Sequence, residues 1–348
     1  MKFEPRLMVT GIGSLPHKSP ERACEVILEN VPEAPFWPQL PNLNFLESMW
    51  VQFSQGMPGL VVLEDEKKVF IDPGDDYPPQ VERFYQYLEA GNFDAFAIDF
   101  DHARGLKTMT TLLQRNAPES LKMVKGQVTG PISMGMVLTY PNRKSLLYDS
   151  TGADIVVNLV RAKGIWQERF LQSAFPGVPT LIFFDEPYLV SLGSAFFNVS
   201  QEEVIGYLDT CFDGLEGLSG IHCCGNSDWS VLLDTRVDVL NFDAYGFGET
   251  ISLYPVQVAR FLSEGRCLAW GIVPTGEEAK DESAASLVDR LENHIDALAS
   301  RGIERDRIYK QSFITPSCGT GALSTELAER VFQLTHEVSE SLREKHFQ

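Results

Sequence analysis

The sequence is short of basic residues, and this shortage excludes several classes of partner. Among 348 residues there are 29 Lys+Arg against 48 Asp+Glu, so the formal net charge is −19. A protein this acidic repels the phosphates of nucleic acid and the surface of an anionic membrane. We therefore expect no nucleic acid and no membrane among its partners.

Long apolar runs and an export signal are also missing. A strongly apolar run such as residues 180–184 (TLIFF) ends at Asp185, far short of the ~20 apolar residues that span a membrane as a helix. The first ten residues, MKFEPRLMVT, contain neither the apolar core nor the small-residue cleavage site of a secretory signal. These absences predict a cytoplasmic protein.

Cysteine is scarce as well. Six cysteines in 348 residues are too few for a disulfide scaffold, and in a reducing compartment we expect them to be free thiols. Cysteines that cluster in such a protein are more often metal ligands or catalytic groups than disulfide partners. Hydrophobic residues make up 44% of the chain, which is typical of a folded globular protein rather than a disordered one.

Short apolar segments alternate with longer segments of helical period from about residue 120 onward. Repeated strand–helix units of this kind predict a parallel sheet, and we expect an α/β fold, a (β/α)8 TIM barrel over residues 1–348 as a single domain with N-terminal insertions. An open doubly wound sheet is the alternative.

The proline-rich residues 31–41 and 73–79 are interpreted as loops or insertions. The predicted strands are 6–12, 93–99, 121–128, 180–184, 220–224, 237–242, 268–273 and 308–314. The predicted helices are 20–29, 155–175, 202–215, 255–263, 282–299 and 324–342.

Polar, glycine or proline residues directly follow most of these strands. In a (β/α)8 barrel the strand ends converge on one face, where the active site lies. The sequence therefore predicts a site assembled from several strand ends. The residues at these ends are Gly13 and Ser14, residues 129–131, Asp185 and Glu186, His222 and Cys224, Asp243, and Cys318.

His222 and Cys224 have the spacing of a metal-binding pair. Residues two apart on an extended segment point to the same side, so the imidazole and the thiolate can bind one ion. Cys318 ends a later strand and can reach across the barrel mouth, and two thiolates with one imidazole suit Zn²⁺. Asp243 could supply a fourth ligand or support the site from outside it. The alternative interpretation of the pair is a core histidine beside a buried thiol, and Cys223, pointing away, is expected to be structural.

The acidic pair and the glycine turns predict contacts to a substrate. Asp185 and Glu186 are adjacent on a strand end, so their side chains point in opposite directions. One of them can face the barrel centre and bind an amine, while the other makes a structural ion pair. Neither Gly11-x-Gly13 nor the later pattern at residues 319–321 completes a dinucleotide fingerprint, so both are interpreted as tight turns whose amides can approach a carboxylate.

The strand-end residues together resemble those of the catalytic barrel of cobalamin-independent methionine synthase, within the superfamily that includes uroporphyrinogen decarboxylase. The resemblance implies a zinc cofactor, and Asp243 stands where the family has glutamate. The implied zinc ligands are His222, Cys224, Asp243 and Cys318. The matching segments are GIGSLP (11–16), VTGPIS (128–133), FFDEP (183–187), IHCCGN (221–226), VLNFDAY (239–245) and TPSCG (315–319).

The same resemblance implies the substrate contacts. Asp185 corresponds to the residue that binds the amino group of homocysteine, and Gly13 with Ser14 corresponds to the turn that holds its carboxylate. Glu64 is the candidate for a second amine-binding carboxylate. The expected activity is therefore methyl transfer to homocysteine, giving methionine, with a methyl-corrinoid, free or on a separate protein, or methyltetrahydrofolate as donor.

Two alternatives to this activity remain open on the sequence. The acceptor could be a different thiol, such as a coenzyme thiol, in which case the amino group of the substrate would not matter. A non-catalytic zinc-binding barrel would carry the same ligands and transfer no methyl group. In either catalytic version, zinc would convert a thiol with an ordinary pKa near ~8.5 into a thiolate at neutral pH.

Overall fold

A parallel β-sheet built from strand–helix units forms the centre of the fold. The structure is a computed structural model that describes residues 3–194 and 197–347. The strands are β1 (Met8–Val9), β2 (Leu60–Leu63), β3 (Lys68–Ile71), β4 (Val124–Thr129), β5 (Thr180–Asp185), β6 (Leu218–Cys223), β7 (Val239–Phe242), β8 (Cys267–Val273) and β9 (Ser312–Pro316). Over the described residues, seven of these pair in parallel in the order β1-β9-β8-β7-β6-β5-β4, and β2 pairs with β3 as a separate antiparallel hairpin.

Helices follow the strands and cover the outside of the sheet. They are α1 (Pro20–Asn30), α2 (Met49–Gln52), α3 (Tyr77–Glu89), α4 (Arg104–Arg115), α5 (Pro131–Val137), α6 (Ser150–Ala174), α7 (Gln201–Phe212), α8 (Trp229–Asp234), α9 (Ala244–Phe247), α10 (Pro255–Ser263), α11 (Ala284–Ala299), α12 (Arg305–Lys310) and α13 (Thr325–His346). Short 3-10 turns occupy Phe45–Glu47, Phe93–Phe96, Leu146–Tyr148, Pro187–Ser191, Gly248–Leu253 and Glu277–Lys280. Each helix predicted from periodicity is present. The last predicted strand begins too early, because α12 occupies its first residues.

Residues 33–39 connect the two edges of the sheet and close the barrel. The Gln39 amide donates to the Gly13 carbonyl oxygen (2.9 Å), just beyond the end of β1. On the other side, the Lys125 amide of β4 donates to the Pro35 carbonyl oxygen (2.9 Å). This extended segment therefore supplies the eighth position, and the predicted α/β barrel is confirmed.

The eighth strand was expected in a different place, and that expectation is wrong. Within 93–99, Phe93–Phe96 form a 3-10 turn, whereas part of the supposed loop 31–41 lies in the barrel wall. Proline accounts for the error. Pro35 and Pro38 have no N–H to donate, so the segment forms isolated bridges instead of a continuous ladder and has the sequence character of a loop.

Two apolar cores lie on opposite faces of the sheet. The larger one fills the space between the strands and the surrounding helices. The smaller one fills the barrel lumen and contains Met8, Ile12, Ala34, Met123, Leu181, Phe183, Val239, Cys267, Ala269 and Phe313. Lys125 is also buried in the lumen, where its Nζ lies 4.3 Å from the centre of the Phe183 ring, and burial lowers its pKa to about 8. The lumen is mostly apolar, and the polar residues at the strand ends lie at its mouth.

The N-terminal insertion supplies one wall of that mouth. Helix α2 is fixed to the sheet because Thr129 Oγ1, at the end of β4, donates to the Met49 carbonyl oxygen (3.0 Å). The predicted N-terminal insertions are therefore present and contribute to the site. No helix among the described residues combines the length and the apolar character needed to cross a lipid bilayer.

Candidate active site at the barrel mouth

A cavity of about 460 Å³ opens at the carboxyl ends of the strands. Its lining comes from the turn after β1, from the insertion around α2, and from the segments that follow β5, β6 and β9. Five of the sequence-predicted site residues line it: Ser14, Asp185, His222, Cys224 and Cys318. The fold thus brings together side chains that are 304 positions apart between Ser14 and Cys318 (318 − 14).

His222, Cys224 and Cys318 form one cluster. A nitrogen of the imidazole and the two sulfur atoms all lie within 4.8 Å of one another. His222 is the penultimate residue of β6 and Cys224 follows that strand, so the period of two places both on the lumen side. Cys223, between them, is buried on the other face and its Sγ contacts the Gly225 carbonyl oxygen.

The imidazole of His222 presents one free nitrogen to the cavity. Its Nδ1 contacts Oδ1 of Asn241, whereas its Nε2 is buried and has no hydrogen-bond partner among the described residues. Burial lowers the pKa of His222, but Cys224, Asp185 and Asn241 together outweigh burial, so the pKa is raised.

The two thiols of the cluster differ in acidity. Hydrogen bonding with the Cys318 thiol, helped by His222, lowers the pKa of Cys224. The same contact raises the pKa of Cys318. The remaining cysteines are buried outside the cluster, and burial raises the pKa of each thiol: Cys24, Cys211, Cys223 and Cys267. The thiol whose pKa is lowered is therefore that of Cys224, at the barrel mouth.

The donor set fits a zinc ion. Zinc in proteins is bound by imidazole nitrogen and thiolate sulfur, and catalytic zinc sites use three protein ligands. A buried imidazole nitrogen without a partner is unusual, because buried polar atoms nearly always form hydrogen bonds. A metal ion at the cluster would satisfy the Nε2 atom of His222 and both sulfurs at once.

Asp243 is not a member of this cluster. It follows β7 and caps α9, where its Oδ1 accepts a hydrogen bond from the Gly246 amide (2.8 Å). Burial raises the pKa of its carboxyl group, and His222 acts in the opposite direction. The structure thus gives Asp243 a capping role near the cluster.

Asp185 and Glu186 point in opposite directions, as the strand geometry predicts. Asp185 lines the cavity, and no described residue donates a hydrogen bond to its buried Oδ1. Burial raises its pKa, while His222 and Lys125 lower it. Glu186 does not form the expected ion pair; it accepts hydrogen bonds from the amides of Ile132 and Ser133 (both 2.8 Å) and so caps α5.

The turn after β1 is packed too tightly for a side chain at Gly13. A Cβ atom there would lie 2.0 Å from Oε1 of Gln39. Ser14 lines the cavity and its Oγ accepts a hydrogen bond from the Gly321 amide (3.3 Å). At Gly319 a Cβ atom would lie 2.2 Å from that same Oγ. Both glycine turns of the sequence therefore meet at Ser14.

Glu47, and not the expected Glu64, contributes a carboxyl group to the cavity. Glu64 is exposed in the turn after β2 and does not line the cavity. Glu47, which the motifs did not indicate, is buried and lines the cavity; its carboxylate accepts from the amides of Leu40 (3.2 Å) and Arg104 (2.8 Å). Burial raises its pKa to about 7. The available signal was an acidic residue inside an otherwise apolar segment, FLESMW.

Trp50 adds apolar surface to the lining of the cavity. It lines the cavity beside Met49, and its ring packs edge-on against Tyr188 with the centroids 6.5 Å apart. The site therefore combines a soft metal-binding cluster, two carboxylates and an apolar wall.

Comparison with solved structures supports the barrel. The chain is similar in fold to a B12-independent methionine synthase from Shewanella sp. W3-18-1 in complex with selenomethionine, with a TM-score of 0.59 and 14% sequence identity over 97% of this chain and 98% of that chain. It is also similar to a methyltransferase from Methanosarcina mazei, with a TM-score of 0.56 and 16% identity over 97% and 93% of the two chains. No protein-family model matches the sequence, and a search of curated proteins finds no match. The resemblance inferred from the motifs is thus confirmed for the fold.

Proposed function

We propose that this protein is a zinc-dependent methyltransferase that methylates the sulfur of homocysteine to give methionine. The observation that carries the proposal is the cluster of His222, Cys224 and Cys318 in one cavity with Asp185. A soft metal site suits a thiol, and a carboxylate with a free oxygen suits an amine. The similarity in fold to two methyltransferases supports the same activity.

In this proposal His222 Nε2 and the sulfurs of Cys224 and Cys318 hold the zinc ion. Bound zinc lowers the pKa of a thiol so that the substrate sulfur is a thiolate, and hence a nucleophile, at neutral pH. Asp243 remains the cap of α9, which leaves three protein ligands, the number found in catalytic zinc sites.

The remaining side chains bind the amino acid portion of the substrate. Asp185 accepts hydrogen bonds from the ammonium group through its free Oδ1, and Glu47 places a second carboxyl group in the same cavity. Ser14 and the Gly13 turn approach the substrate carboxylate. Trp50 supplies apolar surface that helps to exclude water from the cavity.

The methyl group is transferred without its bonding electrons. The donor, a methyl-corrinoid or methyltetrahydrofolate, keeps the electron pair of the broken bond, and the thiol proton leaves to solvent. The cavity of about 460 Å³ opens to the outside, so a donor that is free or carried on a separate protein can approach it.

The test measures zinc content and methionine formation together. Wild type is compared with Cys224→Ser and Cys318→Ser, and Cys223→Ala is the matched control because it alters the neighbouring thiol on the opposite face of β6. We expect about one zinc per chain in wild type and control, a loss in both serine variants, and methionine from homocysteine with methylcobalamin or methyltetrahydrofolate.

Three outcomes would contradict the proposal in different ways. Full zinc occupancy without methyl transfer from either donor would favour a non-catalytic zinc-binding barrel. Equal rates with thiols that lack the amino group would favour another acceptor, such as a coenzyme thiol, and would remove the proposed role of Asp185. Wild type without zinc after reconstitution would refute the metal site itself.

A further inference from the structure

Asn241 lies beside His222, and both its amide nitrogen and its amide oxygen have hydrogen-bonding partners. The two residues are direct cross-strand partners between β6 and β7, and Asn241 is fully buried. Its Oδ1 contacts Nδ1 of His222, and its Nδ2 donates to the Ala269 carbonyl oxygen (3.0 Å) and to Oγ1 of Thr315 (2.8 Å). An asparagine side chain offers two N–H donors and an acceptor oxygen, and here both donors and the oxygen have partners, on strands β6, β8 and β9.

These partners fix which way the amide points. The Ala269 carbonyl oxygen can only accept a hydrogen bond, so the NH₂ group of Asn241 must face it. The amide oxygen must then face His222. Because an oxygen can only accept, Nδ1 of His222 has to carry the proton.

We infer that Asn241 is a positioning residue that selects the tautomer of His222 in which Nε2 is free to bind a metal ion. A flipped amide would set its oxygen against the Ala269 carbonyl oxygen and its NH₂ group against Nδ1. The proton would then move to Nε2, the nitrogen that faces Cys224 and the cavity. The inference rests on the metal site of the proposed function.

The same side chain also links both halves of the cluster. Thr315 lies on β9, three residues before Cys318, while His222 lies on β6. The amide of Asn241 therefore connects the strand that carries the imidazole to the strand that leads to the second thiol. Hydrogen bonds to ligating histidines set the ring orientation as well as the tautomer, and their loss typically weakens metal binding 10- to 100-fold.

The test compares two substitutions that both remove the donors of Asn241 but differ in what they present to His222. Asn241→Leu removes every polar contact, whereas Asn241→Asp keeps an oxygen for Nδ1–H and removes both donors. Gln127→Met is the matched control, since Gln127 is a buried amide of the same lumen that donates to the Trp37 carbonyl oxygen (2.9 Å) and does not touch the cluster.

Zinc affinity is measured by competition with a chelator. We expect Asn241→Leu to weaken binding about 10- to 100-fold, and Asn241→Asp and Gln127→Met to stay within about threefold of wild type. An equal loss in the Leu and Asp variants would show a merely structural role and overturn the inference. So would wild-type affinity in Asn241→Leu.

The tautomer is read directly from the metal-free protein. Ring-¹⁵N histidine NMR, at a pH high enough to keep the imidazole neutral, shows which nitrogen carries the proton, with His222→Gln to assign the signal. We expect Nδ1–H in wild type and in Asn241→Asp, and Nε2–H or a mixture in Asn241→Leu. Nε2–H in wild type would overturn the inference even if a variant failed to fold. If wild type bound no zinc, the proposed function would fail, while this measurement would still decide the role of Asn241.

Discussion

Replacing Asp185 with Asn should separate binding of the amino acid from methyl transfer. The substitution keeps the size of the side chain and removes its charge. The buried Oδ1 of Asp185 has no hydrogen bond from any described residue, so it is available to the ammonium group of the substrate. Burial raises the pKa of this carboxyl group, and a cation bound beside it would favour the ionised form. Homocysteine binding should therefore strengthen with rising pH more steeply in wild type than in the variant, which keeps only the dependence that comes from loss of the thiol proton.

The size of the effect follows from the contact that is lost. A hydrogen bond to a charged group contributes about 1.5–3 kcal/mol, and each 1.36 kcal/mol is tenfold in an equilibrium constant. We therefore expect the KM for homocysteine to rise about 10- to 150-fold, with a smaller change in kcat because the carboxylate does not contact the sulfur.

The assay uses two substrates so that the effect can be assigned to the amine. Methyl transfer is measured with homocysteine and with 4-mercaptobutanoate, which has the thiol and the carboxylate but no amino group. The substitution should change the KM of the second thiol less than about twofold. Asp228→Asn is the matched control, because Asp228 caps α8, does not line the cavity, and asparagine caps helices equally well. An unchanged KM for homocysteine, or equal losses with both thiols, would refute this role for Asp185.

Three further predictions concern stability. Burial raises the pKa of Glu186 from 4.5 to about 7, so protonation of this carboxyl group favours the folded state. The free energy of unfolding of wild type should therefore fall by about 3 kcal/mol as the pH rises from 4.5 to 7. Urea titrations over this pH range should show a smaller fall for Glu186→Gln than for wild type. Gly13→Ala should cost about 1–3 kcal/mol because its Cβ meets Gln39, whereas Gly74→Ala, with open space around it, should leave the Tm nearly unchanged. Zinc at 100 times its Kd should add about 2.7 kcal/mol to the free energy of unfolding of wild type. It should add nothing to that of Cys318→Ser. Thermal denaturation with and without chelator measures both effects.

Local sequence pattern was sufficient for most of the barrel. The alternation of apolar strands with amphipathic helices from residue 120 onward predicts the parallel order of β4 to β9, because a strand–helix–strand unit leaves few other arrangements. It failed at residues 33–39, where the hydrogen bonds come from distant strands and the prolines mimic a loop. It also placed a strand in 93–99, whose apolar residues pack as a short 3-10 turn.

The candidate site divides in the same way. His222 and Cys224 share a face because the period of a strand is two, and Asp185 and Glu186 point to opposite faces for the same reason. Such facts are local and can be obtained from the sequence. The approach of Cys318 to that pair, the burial of Glu47 and the exposure of Glu64 depend on how segments far apart in the chain pack together.

What the sequence determined by itself was the chemistry: the soft donors, the acidic strand end and the glycine turns. What only the tertiary structure decided was the choice among chemically equivalent groups. In the folded protein Asp243 caps α9, Glu186 accepts hydrogen bonds at the start of α5, and two of the six thiols lie in one cluster. The physical reason is that residue type fixes which atoms a side chain can offer, whereas distance and burial, which decide whether those atoms meet, arise from contacts between distant segments.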